Sequence, residues 1–136
     1  MKTNHRLIVV SMFMFTSLAW PAHAADRMRA GQWVGTTITG GKTFPTSSCV
    51  SPSEAAGMNG DATAVKAYLE TIIPPQICKI SDVKATANQV IYTASCTGGG
   101  GVKTVKTVTT SYHGDHSEGT DTTGSKTEAK LVGACK

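Results

Sequence analysis

The densest cluster of reactive side chains in the 136-residue chain is His113-Gly114-Asp115-His116-Ser117-Glu118. Two imidazoles and two carboxylates so close together are a donor set that borderline divalent metals accept. The same residues also describe a tight hairpin turn, with Gly114-Asp115 at the tip and polar flanks. No further donor sits on an element that would hold it rigidly, so His113 and His116 stand only as weak candidate metal ligands.

The other nucleophiles and acids are less organised. A serine nucleophile would need His113 or His116 as its base, both at a loop tip, and no G-x-S-x-G elbow is present. A carboxylate pair would draw on Asp61, Asp82, Asp115, Glu118, Asp121 or Glu128, yet no apolar surround marks any of them for a raised pKa. Gly98 to Gly101 lacks the Gly-Lys-Ser/Thr ending of a phosphate loop and reads as a flexible connector. Cys49, Cys78, Cys96 and Cys135 contain no C-x-x-C pair, the arrangement that lowers thiol pKa in oxidoreductases. No catalytic residue and no cofactor is assigned, and the cysteines read as two structural disulfides of an oxidising compartment.

The amino terminus agrees with that compartment. Lys2 and Arg6 precede an apolar run over 7–20, and Ala22-His23-Ala24 supplies the small residues a signal peptidase requires. Residues 1–24 are therefore expected to be a secretory signal, and 25–136 one small domain. Without Lys2 and Arg6, the 13 basic residues become 11 against 9 acidic ones, a charge of +2. That balance argues against a nucleic-acid partner. Nothing in the mature part is apolar for long enough to cross a membrane, and no cysteine follows the cleavage site to carry a lipid. The expected location is the periplasm, or outside the cell.

What must position these groups is mostly sheet. The 18 threonines of the mature part, in runs with valine and tyrosine, favour half-buried strands. Strands are expected over 31–39, 78–84, 89–96, 102–112, 117–122 and 126–135. Between the first and second, a loop from Gly40-Gly41 through Phe44-Pro45 leads to Cys49. Ser51-Pro52-Ser53-Glu54 is a capping box, opening a short helix that Gly57 and Gly60 interrupt. Asp61 caps a second helix to about Ile73, whose stripe of Val65, Tyr68, Leu69, Ile72 and Ile73 packs on the sheet. Val83 is out of phase with Cys78 and Ile80, so a bulge is expected near Ser81-Asp82. The fold class is α+β, mainly β: an antiparallel meander of about six strands, curved or barrel-like, with one or two short helices packed on it. Trp33, Phe44, Tyr68, Tyr92 and Tyr112 would either line a pocket or, with so few large apolar residues present, form the core.

Four cysteines allow three pairings. In a hairpin turning near Ala87, Cys78 and Cys96 lie directly opposite one another, within reach of a disulfide. Cys49–Cys135 follows by elimination.

The order of marks is distinctive: Met28-Arg29-Ala30-Gly31-Gln32-Trp33, Cys49 with Pro52-Ser53-Glu54, Cys78-Lys79-Ile80-Ser81-Asp82-Val83-Lys84, Cys96-Thr97-Gly98, Glu118-Gly119-Thr120 and Gly133-Ala134-Cys135-Lys136. It resembles the small exported bacterial proteins of domain-of-unknown-function family 3617. The resemblance implies export, four cysteines and a mostly antiparallel β domain, and it carries no catalytic residue over. Gly40-Gly41-Lys42-Thr43 stands where a methionine-rich turn is usual in the family, so a soft-metal site of methionines is not implied. The functional expectation is a non-catalytic binding or interaction module of the cell envelope, holding a small apolar ligand or an envelope protein. The alternative is an envelope enzyme or enzyme inhibitor acting through the His113–Glu118 loop.

Overall fold

The computed structural model describes residues 26–136; the expected signal segment lies outside the described residues. Seven strands form one antiparallel sheet: β1 (Gly31–Thr39), β2 (Lys42–Val50), β3 (Cys78–Ala85), β4 (Gln89–Thr97), β5 (Lys103–Tyr112), β6 (His116–Asp121) and β7 (Lys126–Gly133). Their spatial order is β2-β1-β7-β6-β5-β4-β3, with β2 and β3 as free edges, so the sheet is open rather than a closed barrel. Helices α1 (Pro52–Asn59) and α2 (Ala62–Ile72) carry the chain from one edge to the other.

The strand that sequence reasoning placed in a loop is β2. Gly40 and Gly41 have φ of +57° and +74°, a conformation that suits a two-residue hairpin turn and comes without steric cost only to glycine. The turn sets Thr39 opposite Lys42 and Thr36 opposite Pro45. Residues 42–49 are all exposed, so no alternation of apolar and polar residues marks them as a strand. Proline is tolerated because alternate residues of an edge strand turn their backbone nitrogens outward. Pro45 falls at such a position in this register and removes a donor from the free edge, which protects the sheet against edge-to-edge pairing.

The capping box forms: Ser51 Oγ accepts from the Glu54 amide at 3.3 Å and a Glu54 carboxylate oxygen accepts from the Ser51 amide at 2.7 Å. Gly57 does not interrupt α1 but lies inside it, against Tyr68 of α2; Gly60 is the C-cap. Asp61 caps α2 by accepting from the Ala64 amide at 2.9 Å. Of the expected stripe, Val65 and Leu69 are buried, whereas Ile72 is 52% exposed and faces away from the sheet. Val65 and Leu69 pack with Met58 on Ile80, Val90, Ala94 and Tyr112, while Ala55 of α1 joins Trp33 and Val50 in a second cluster. The bulge in β3 lies between Ser81 and Lys84, and Asp82 takes up its left-handed backbone.

Two disulfides staple the ends of this arrangement. Cys78–Cys96 joins opposed residues of β3 and β4. Cys49–Cys135 ties the edge strand β2 to the segment after β7, across the end of β1.

Candidate functional site

The helices cover only part of the face they pack on, and the part they leave bare forms a hollow of about 330 Å³. Strand pairing builds its floor. One row runs Thr37, Thr127, Gly119 and Thr110 across β1, β7, β6 and β5; the next runs Asp121, Val108 and Tyr92 across β6, β5 and β4. Tyr92 shares its face with Val90 and Ala94, so the hollow borders directly on the core beneath α2.

Gly119 gives the hollow its depth. A Cβ there would meet nothing closer than 3.6 Å, and the backbone is not in the left-handed region. Neither sterics nor conformation asks for glycine, although glycine inside a strand costs about 0.5–1 kcal/mol relative to alanine. Gly35 is the contrast: its Cβ would fall 1.8 Å from the Glu128 carbonyl oxygen, so close strand approach explains it.

The walls are hydroxyls and one ion pair. Thr37 Oγ1 and Thr127 Oγ1 lie 3.1 Å apart, and Thr39 Oγ1 donates to Ser125 Oγ at 3.2 Å. Asp121 Oδ1 accepts from the Thr123 amide and hydroxyl and from the Ser125 amide; Oδ2 accepts from Lys106 Nζ at 3.1 Å. Burial works to raise the Asp121 carboxyl, but the hydrogen bonds from Thr123, Lys106 and Ser125 outweigh it and hold the group down at about 2. The phenol of Tyr92 is pushed up by burial and further by the Asp121 charge, so it is protonated at neutral pH.

The residues from His113 to Glu118 lie at the β5–β6 turn and the start of β6. His113 and His116 stack with ring centroids 4.9 Å apart at the β5–β6 turn, and His116 Nδ1 lies 3.8 Å from Asp115 Oδ1. Glu118 sits on β6 directly opposite Glu128, on the face away from the helices. Among the described residues, no group of three or more His, Cys, Asp or Glu side chains is gathered at metal-binding distance. Gly99–Gly101 forms a single 3₁₀ turn between two antiparallel strands. The aromatic residues divide: Trp33 and Tyr112 are core, Tyr68 packs beside it, Tyr92 lines the hollow, and Phe44 stands half-exposed on β2 opposite Thr37.

Two features escaped sequence reasoning. The sequence signals for the hollow are an isolated glycine within a strand and Asp121-Thr122-Thr123-Gly124-Ser125, a turn in which aspartate accepts from the backbone ahead of it. The other is Arg27, 3% exposed, whose Nε donates to the Met58 carbonyl at 2.9 Å and whose two terminal nitrogens donate to the Thr86 and Gly60 carbonyls. Burial pulls its guanidinium pKa down, partly offset by Tyr112. Beside it, Asn59 and the Met28 backbone exchange two hydrogen bonds at 2.7 and 2.8 Å, so residues 27 and 28 clasp the end of α1.

Fold and hollow together define a small disulfide-bonded, open antiparallel sheet with a polar recess beside its helix-covered core. Residues 28–135 match the model of a family described as "Protein of unknown function (DUF3617)", and the chain belongs to that family. No curated protein and no solved structure matches it.

Proposed function

We propose that the protein is exported, cleaved after Ala24, and acts in the cell envelope as a non-catalytic binding module whose ligand site is the hollow beside α2. The observation that carries this reading is the glycine floor. Gly119 weakens a central strand and satisfies no steric or conformational demand of the fold, while its missing side chain opens a recess among polar side chains. Concave sites with a few placed polar groups beside an apolar wall are where small ligands bind. Two disulfides and the balanced charge of the mature part suit an exported protein that meets its ligand outside the cytosol. The helix-free half of the face also gathers more fixed hydrogen-bonding groups than the His113–Glu118 turn, where no three metal-ligating side chains come together among the described residues.

The test is native mass spectrometry of the protein isolated from the envelope fraction of its own cells. The expected spectrum shows a chain beginning at Ala25 with an adduct that departs on denaturation and is lost in a Gly119→Val variant. A chain retaining Met1 refutes export, and an adduct unchanged in the variant refutes the site.

A further inference from the structure

We propose that the hollow is a receptor for a neutral, hydroxyl-rich ring, that is, a saccharide of one or two residues; this rests on the hollow being the ligand site. Charge comes first. Among the described residues, the charged ones lining it are Lys106 and Asp121, and they face each other at 3.1 Å. Asp121 accepts three hydrogen bonds on Oδ1 and one from Lys106 on Oδ2, and its side chain is only 6% exposed. A cation finds a carboxylate that is buried and already paired with Lys106, and an anion finds a lysine already paired with Asp121. The ligand is neutral.

Hydrogen bonding comes next. In the Thr37–Thr127 and Thr39–Ser125 pairs one hydroxyl gives its proton to the other, so each pair keeps one hydroxyl proton and several lone pairs for an outside partner. Such a surface offers donors and acceptors together, which is what a ring bearing several hydroxyls presents in return. An apolar ligand would strip water from these groups and leave them unpaired. Tyr92 and Val108 supply the apolar strip on which the C–H face of a sugar ring can lie, and Phe44 extends the Thr37 row at the outer edge. About 330 Å³ is at the small end of ligand sites and limits the occupant to one or two rings.

The experiment is an amide chemical-shift titration of the ¹⁵N-labelled mature protein, disulfides intact. The probes are a panel of neutral disaccharides, inorganic phosphate and hexanol, each to about 10 mM, which covers dissociation constants into the millimolar range. Disaccharides are expected to move the Thr110, Gly119 and Thr127 amides saturably. Gly119→Val fills the floor and should abolish the shifts; Thr127→Val keeps the shape, removes one hydroxyl and should weaken binding about tenfold, the effect of one hydrogen bond. Should Gly119→Val fail to fold, Thr127→Val carries the test. Shifts of these amides by phosphate or hexanol and not by sugars overturn the saccharide inference and leave the hollow as a binding site. No shift with any probe overturns both. Sugar binding undiminished in both variants places the sugar elsewhere and overturns the inference.

Discussion

Replacing Arg27 by methionine removes a buried cation and keeps much of its apolar stem, so the melting temperature reads the worth of the clasp directly. Three carbonyl oxygens lose a donor. Thr86 is exposed and water replaces the arginine there, whereas Met58 is buried and Gly60 half-buried. A buried group left unpaired costs about 1–3 kcal/mol. Two such carbonyls give about 3–4 kcal/mol, and relief of the charge's desolvation returns part of that, leaving about 2–3 kcal/mol. For a domain of this length, 1 kcal/mol is worth about 4 °C, so the variant should melt roughly 10 °C lower in a calorimetric scan. Arg27→Lys keeps the charge but concentrates its donors on one nitrogen that cannot span three carbonyls, and should lose at least as much. A methionine variant melting within about 2 °C of the parent refutes the clasp as a stabilising element.

Three further outcomes follow from the same contacts. Leu69→Ala should cost about 2–4 kcal/mol in a denaturant titration because Leu69 is buried, while Ile72→Ala, at an exposed position, should stay within about 0.5 kcal/mol. Asp121 is depressed to about 2 in the folded state, so its stabilising contribution is present above its ordinary value near 4 and is lost as pH falls from about 4 to 2; Asp121→Asn should flatten that limb of the stability–pH curve. Reduction should unfold the domain, since the loops closed by Cys49–Cys135 and Cys78–Cys96, of 86 and 18 residues, are worth roughly 3–5 kcal/mol each in the chain-entropy model. Non-reducing peptide maps should link Cys49 to Cys135 and Cys78 to Cys96, and a fragment joining Cys49 to Cys78 contradicts the structure.

Local chemistry was legible wherever one segment carried its own instruction. Ser51 to Glu54 states a helix start, Asp61 states another, and the phase break at Val83 states a bulge, because caps and alternation act over a few residues. The β5 strand announces itself through threonine and valine, and β6 and β7 follow as its returns after polar turns. The β2 strand did not, since an exposed edge needs no apolar face and Pro45 argues against a ladder when the edge is not known to be free. Ile72 fits the helical stripe by spacing, yet it is exposed while the adjoining Ile73 packs against the core, a choice that the packing of the helix end makes and spacing does not.

The candidate site was settled almost wholly by tertiary structure. By itself the sequence determined that the four cysteines are the means of stapling a thin core, that the chain is threonine-rich sheet with two capped helices, and that no compact catalytic motif is present. It could not show that β1 inserts beside β7, which brings Thr37 and Thr39 against Thr127 and Ser125, 86 to 90 residues away. Nor could it show that the helices, crossing from β2 to β3, stop short of Gly119. Arg27 reads in sequence as one more base near an expected cleavage site, and only the meeting of α1 with the β3–β4 turn supplies its carbonyls. The physical reason is common to all three: a cap or turn is stabilised by neighbours in the chain, whereas a recess or a buried charge is defined by which distant segments the packed sheet brings together, and by where it leaves them apart.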